Sequence, residues 1–269
     1  GLTKGKANTL LGEMRLNQKQ FDKAQNYFQT AVKFTKGSGE LNNRAVLGLA
    51  VTQFYLNDID EAIKGLEYLE KYSKDFETDK VNFYLAECYL VVGKYSAALK
   101  HYNLVKSNEE EFKRQTLYGK AYAYFNLKDY PNAIYYFNDF INKYKKDRNV
   151  GDAKLRLADS YYGIKNFNKA SAIYSELFSS NRAFMDNDLT YYQYCQALYK
   201  AGKSSDAIEE FQNLQRRFPN SKYADVSQYV IGWIHFQQSD YSNAIANYFK
   251  LISKYPNSSL IPIAYYSLG

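Results

Sequence analysis

Small and bulky residues recur along this chain with a period ten times longer than a helical turn. A bulky residue, two spacers and then Ala appear as Phe21-Asp-Lys-Ala24, Ile59-Asp-Glu-Ala62, Tyr95-Ser-Ala-Ala98, Tyr130-Pro-Asn-Ala133, Phe167-Asn-Lys-Ala170 and Tyr241-Ser-Asn-Ala244. A seventh copy, Ser204-Ser-Asp-Ala207, has Ser in the bulky place. Successive Ala residues lie 38, 36, 35, 37, 37 and 37 positions apart. Twelve residues before each Ala stands another small residue: Gly12, Ala50, Ala86, Ala121, Ala158, Cys195 and Gly232. Four residues after it comes a large one: Phe28, Leu66, Tyr102, Phe137, Tyr174, Phe211 and Tyr248. Two helices approach to about 8–10 Å only where the side chains at their crossing are small, so each copy reads as a hairpin of two helices crossing at the paired small residues. A strand reading needs alternation of period two, and none is sustained.

The punctuation agrees. Asn57-Asp58, Gly93-Lys94, Lys128-Asp129, Lys165-Asn166, Gly202-Lys203 and Ser239-Asp240 sit at one offset before the following Ala and are turn and cap residues. Phe218-Pro-Asn-Ser221 and Tyr255-Pro-Asn-Ser258 place Pro where a helix stops, and Ser221 and Ser258 are the expected N-caps of the helices that follow. Lys36-Gly-Ser-Gly39 falls in the longest step and is expected to be a loose loop between hairpins. The expected hairpins run over residues 5–38, 43–76, 79–112, 114–147, 151–184, 188–221 and 225–258. A partial eighth covers 262–269, where Gly269 repeats the place of Gly232 and the chain reads as a fragment of a longer array.

This pattern resembles the tetratricopeptide repeat over nearly the whole chain. The resemblance implies an all-α fold, a right-handed α-solenoid of antiparallel hairpins forming one continuous domain over 1–269. It departs from the family in lacking the Trp near the repeat start, in closing only two repeats with Pro, and in placing His235 where Tyr89, Tyr124 and Tyr161 stand in other copies. The last two repeats, with their 37-residue period and Pro-Asn-Ser loops, are similar to bacterial envelope proteins of the outer-membrane assembly lipoprotein and Tol–Pal-associated periplasmic types. That similarity implies a periplasmic or outer-membrane-associated location, with the cytoplasm as the other option.

In this family the first helix of each hairpin lines the concave side. Its groove positions fall on Phe83 and Glu87, on Tyr118, Tyr122 and Phe125, on Leu155, Asp159 and Tyr162, on Tyr192, Gln196 and Tyr199, and on Tyr229, Trp233 and Phe236. Among these, Tyr122, Tyr192, Tyr199 and Trp233 are the expected exposed anchors, since Tyr and Trp offer large area at low entropy cost and keep a polar tip. The basic and Asn clamp with which chaperone-binding members hold a terminal carboxylate is missing, its positions being filled by Glu87, Tyr122 and Asp159.

Composition changes the picture little. The chain has 269 residues, 46% hydrophobic and 23% charged, and no apolar run long enough for a membrane helix. A net charge of +7 and a pI near 9.0 raise the possibility of a polyanion partner. However, the dense clusters, Lys143–Lys145–Lys146–Arg148 and Arg216–Arg217, fall at hairpin ends where they complement helix dipoles. Base-reading repeats need polar side chains at fixed offsets, and here those offsets hold mixed aromatics and acids, so nucleic acid is disfavoured as a partner. Cys88 and Cys195, 107 positions apart, read as small buried hydrophobes. His101 is expected at the surface and His235 in a packing role. Neither has a second His or Cys at helical ligand spacing. Glu109-Glu110-Glu111 is expected to open a helix. No nucleophile elbow, phosphate loop or dinucleotide fingerprint is present. The sequence therefore points to a protein-binding scaffold without catalysis, cofactor or metal. The alternatives are a nucleic-acid-binding helical repeat and a structural array that associates end to end.

Overall fold

A computed structural model describes residues 1–180 and 182–269, and every regular element among them is helical. The first helices of the repeats are α1 (Leu2–Asn17), α3 (Glu40–Tyr55), α5 (Thr78–Val91), α7 (Glu110–Asn126), α9 (Val150–Gly163), α11 (Asp188–Lys200) and α13 (Ala224–Gln237). Their partners are α2 (Phe21–Thr35), α4 (Ile59–Tyr72), α6 (Tyr95–Leu104), α8 (Tyr130–Lys143), α10 (Phe167–Ser180), α12 (Ser204–Arg217) and α14 (Tyr241–Lys254). A 3₁₀ turn, Arg182–Asp186, precedes α11, and α15 (Ile261–Leu268) follows α14. The chain divides into two compact units, Gly1–Tyr144 and Lys145–Gly269. The first holds four hairpins, α1 to α8. The second holds three, α9 to α14, with α15 packed on α14. Within each unit every helix packs on the next, and in the first unit consecutive first helices also touch, giving the α-solenoid packing of stacked hairpins.

The repeated columns make the core. Ala24, Ala62, Ala98, Ala133, Ala170 and Ala207 are fully buried, and so are the large residues four positions on, from Phe28 to Phe211. Their opposites on the first helices, from Gly12 to Gly232, are buried as well. Each crossing thus sets a methyl or a hydrogen atom against an aromatic or leucine side chain, which is how a helix pair reaches close packing without voids.

All seven hairpin turns share one backbone solution. The residue five before each Ala has a positive φ: Lys19, Asn57, Gly93, Lys128, Lys165, Gly202 and Ser239, at 57° to 75°. The next amide then donates to a carbonyl five residues back, as in Gln20 to Arg15 (2.9 Å) and Asp240 to His235 (2.9 Å). This left-handed C-terminal motif satisfies carbonyls that the helix end leaves open. Second helices start with carboxylate or amide help in places: Asp129 accepts from the Asn132 amide and Asp240 from the Asn243 amide, both at 3.3 Å.

Two expectations are corrected. Ser221 and Ser258 are not N-caps, because α13 and α15 begin three residues later. Instead, each accepts from an amide two residues on and donates its own hydroxyl backwards, Ser221 to Asp188 and Ser258 to Asp225, both at 2.6 Å. Each Pro-Asn-Ser loop is thereby tied to the first turn of the hairpin it leaves. His101 is not at the surface either. It is 4% exposed, with Nδ1 2.9 Å from Asn82 Oδ1 and its ring stacked on Tyr89 at 5.4 Å. Three positions beyond Ala98, it points at the back edge of α5 rather than at solvent. Cys88 and Cys195 are buried free thiols, and burial raises both pKa values, that of Cys88 to about 12.

Candidate protein-binding face

In the third, fourth and fifth hairpins the position after the small residue of the first helix faces the hairpin partner. In the third hairpin this position is Glu87, whose carboxylate accepts from the Tyr102 hydroxyl at 2.5 Å. Burial pushes the pKa of Glu87 up to about 7, while the Tyr102 bond pulls the other way. In the fifth it is Asp159, which takes the Tyr174 hydroxyl on one oxygen and Arg156 on the other (2.7 Å). Burial likewise raises Asp159, opposed by Tyr174 and then by Arg156. In the fourth hairpin Tyr122 packs edge-on against Phe137 at 5.6 Å. These side chains read the aromatic residue across the crossing: a phenol meets an acid, and a phenyl meets a ring.

Of the other candidates, Phe83 and Leu155 are buried in the core. Tyr118 rests on Tyr122 at 5.0 Å and on Phe140 at 4.9 Å, and Phe125 lies between Tyr130 (6.1 Å) and Phe137 (6.4 Å). All three are half-buried on α7. In the second unit Tyr162 packs edge-on against Phe167 at 5.2 Å, and burial raises its pKa. Tyr192 stacks on Tyr223 at 4.6 Å and accepts from Gln196 Nε2 at 2.9 Å. Tyr229 lies against Tyr248 at 5.5 Å.

The densest polar and aromatic constellation joins α11 to α13. Trp233 Nε1 donates to the Tyr199 hydroxyl at 3.0 Å, and that hydroxyl donates to Gln237 Oε1 at 3.0 Å. Trp233 stacks on Phe236 at 5.6 Å, and Phe236 meets Tyr241 edge-on at 5.6 Å. Tyr199 and Trp233 are half-buried, whereas Phe236 is 41% exposed. The indole N–H and the Tyr199 hydroxyl are satisfied within the protein, so the rings are held in place before any partner arrives. That lowers the ordering cost of binding.

Sequence reasoning missed two contributors. Gln237 completes the Tyr199 network, and Lys200 lies over the rings of Tyr162 (5.7 Å) and Phe167 (5.4 Å). Both stand seven positions before their repeat's Ala, a column that also holds Tyr55, which stacks on Phe21 at 4.8 Å. Aligning that column would have found them. Among the described residues no group of three or more His, Cys, Asp or Glu comes together that could hold a metal ion, and no helix is long and apolar enough to cross a membrane.

Comparison with known proteins agrees with this architecture. Residues 5–36 and 115–147 match tetratricopeptide-repeat families, and residues 182–269 match a family described as outer membrane lipoprotein. The outer membrane protein assembly factor BamD of Pasteurella multocida is 26% identical over 181 residues, covering 66% of this chain. The chain spans 62% of that relative's length. Among solved structures, the C-terminal part of a repeat-containing protein from Cytophaga hutchinsonii superposes with a TM-score of 0.67 at 15% identity, covering 95% of this chain and 98% of that one. YrrB, a tetratricopeptide-repeat protein with an unusual peptide-binding site, gives 0.55 at 16% identity, covering 74% and 96%. The chain therefore carries tetratricopeptide repeats, and its C-terminal part resembles the outer-membrane assembly lipoprotein.

Proposed function

We propose that the chain is a non-catalytic scaffold that holds an extended or helical protein segment against the aromatic faces of its first helices, within an assembly of the bacterial envelope. The observation that carries this reading is the pre-ordered cluster of Tyr199, Trp233, Phe236 and Gln237, in which the polar atoms of the rings are already paired and Phe236 is left open. Large aromatic residues held rigid and half-exposed are what hot spots are made of. Tyr118, Tyr122 and Phe125 offer a second such face in the first unit, while Tyr162, Tyr192 and Tyr229 flank the main cluster. Gln196 positions Tyr192, and Asp159 belongs to the hairpin interior, where it holds Tyr174. The kinship with BamD favours an envelope partner, and YrrB shows the same fold combined with peptide binding.

The test is site-specific photo-crosslinking in the source cell. A photoreactive residue at Phe236 should capture a discrete protein, and one at Tyr135, exposed on α8, should not. Adding Trp233→Ala should remove the Phe236 adduct while circular dichroism keeps its helical signal. Equal labelling at both positions, or an adduct indifferent to Trp233→Ala, would remove the basis for this face.

A further inference from the structure

One column of the repeat carries a charge where its six counterparts are apolar. Thirteen positions before each Ala stand Leu11, Leu49, Leu85, Lys120, Leu157, Tyr194 and Ile231. Leu85, Leu157 and Ile231 are core residues, Leu49 and Tyr194 are half-buried, and Leu11 is exposed. Lys120 is half-buried at the same place on α7, and burial lowers its pKa. No carboxylate pairs with it among the described residues, and its ammonium lies over the Tyr136 ring at 5.8 Å. A lysine taken out of water without a counter-charge costs stability, and local rules of a repeat are broken mainly where function requires it.

The surroundings supply a second observation. Lys120 lines a cavity of about 390 Å³ together with Thr116, Lys113 and Lys143. Thr116 is 8% exposed, and its hydroxyl has no hydrogen-bond partner. A buried hydroxyl left unpaired needs an acceptor or a donor. The charges are not balanced from within. Glu110 is the one acid in the lining and interacts with Tyr144, and Lys143 is held by Asp139 at 2.9 Å. Neither Lys113 nor Lys120 forms an ion pair with Glu110, and the lining holds three lysines to this one acid.

We propose that this cavity between α7 and α8 is an oxyanion site, in which Lys120 and Lys113 supply charge and Thr116 a hydroxyl to a compact carboxylate or phosphate. Lysine binds such groups as a point charge through short charge-assisted hydrogen bonds. A carboxylate arises from an acidic side chain or chain end of a protein, and a phosphate from a free or esterified ion. The site is independent of the aromatic face, so the two readings stand or fall separately.

The experiment follows thermal unfolding of the full chain titrated with inorganic phosphate or acetate, against chloride at equal ionic strength. Lys120→Met, which keeps the stem and removes the charge, is run in parallel. A ligand that binds only the folded chain raises its folding constant elevenfold at ten times its dissociation constant. The expected result is a saturable rise beyond the chloride control in the parent, absent in Lys120→Met, with the Thr116 amide resonance moving on the same isotherm. Saturation by phosphate alone assigns the site to phosphate, by acetate alone to a carboxylate, and by both to oxyanions generally. If neither anion exceeds chloride, or if Lys120→Met responds like the parent, the proposal is wrong. Lys120→Leu restores the column residue and separates packing from charge: it should unfold at a higher temperature than the parent and bind neither anion.

Discussion

Gly119→Ala tests how tightly successive hairpins are fitted together. Gly119 is buried on α7, and a Cβ built there would lie 2.9 Å from Tyr102 Cε2 and closer still to its Cζ and hydroxyl oxygen. Carbon atoms prefer about 3.5–4.0 Å, so the ring must move by roughly an ångström. Tyr102 is fully buried and holds Glu87 at 2.5 Å, so it has nowhere to go without giving up that bond. Three effects combine. Replacing a mid-helix Gly by Ala gains about 1 kcal/mol of helix propensity. Overpacking a fitted core costs about 1–3 kcal/mol. A hydrogen bond to a charged group contributes about 1.5–3 kcal/mol. Together they leave Gly119→Ala less stable by about 2–4 kcal/mol, a fall of roughly 6–12 °C in midpoint for a unit of this size.

Two other glycines calibrate the measurement. Gly48 stands in the same column one hairpin pair earlier, and its added Cβ would meet Phe28 at under 3 Å, with no hydrogen bond at stake. Gly48→Ala should therefore destabilise by the packing cost alone. At Gly65 the nearest atom would be the Ala50 methyl at 3.2 Å and the next the Val46 side chain at 3.7 Å. There the propensity gain should offset the slight crowding, leaving Gly65→Ala within about 1 kcal/mol of the parent. Urea and thermal unfolding followed by far-ultraviolet circular dichroism will rank the three. A Gly119→Ala midpoint equal to that of Gly65→Ala would refute the register of Tyr102 against α7.

Two further outcomes are expected. Glu87 is raised above its unfolded value, so its contribution is intact below about pH 4.5 and is lost as pH rises through about 7; the loss totals at most about 3 kcal/mol. Unfolding of the parent should therefore become easier between pH 5 and 8, and Glu87→Gln should flatten that slope; parallel profiles would contradict the burial of Glu87. At the hairpin turn, Lys165 holds φ at 62° without being Gly, so Lys165→Gly should stabilise by about 1 kcal/mol in chemical denaturation, and a loss of stability would mean that the turn needs the lysine side chain.

The hairpins were legible because the fold repeats one crossing seven times, and any single copy would have been ambiguous. Ala133 next to Tyr130 says little. Seven such alanines at a near-constant step, each with a small residue twelve before and a large one four after, specify both helices and their faces. The positive-φ turn was half legible, since Gly93 and Gly202 announce it but Lys19, Lys128 and Lys165 do not. What the period could not supply was direction. His101 and Ser221 were read from their residue types, as polar and hence outward, or as hydroxyl and hence capping. Their real roles depend on Asn82 and Asp188, partners 19 and 33 residues away. The candidate face shows the same division. Its columns followed from the repeat, but the Trp233–Tyr199–Gln237 chain required α11 and α13 to be placed side by side.

The crossing column also explains how a repeat can vary and stay packed. Where the second helix offers a buried phenol, the first helix supplies an acid: Tyr102 with Glu87, Tyr174 with Asp159. In the fourth hairpin the second helix offers the phenyl of Phe137 and the first helix supplies the ring of Tyr122. The seventh hairpin departs from this pairing: Trp233 stands in the acid's place, and the buried Tyr248 hydroxyl is left to Ser267 of α15. It is also the hairpin whose Trp233 bonds outward to Tyr199 rather than inward to its own partner helix. The position that satisfies the crossing phenol in the third and fifth hairpins has here been turned to the face. This is why the proposed protein-binding role rests on the α11–α13 cluster ahead of the equally aromatic α7, where Tyr122 still serves the core.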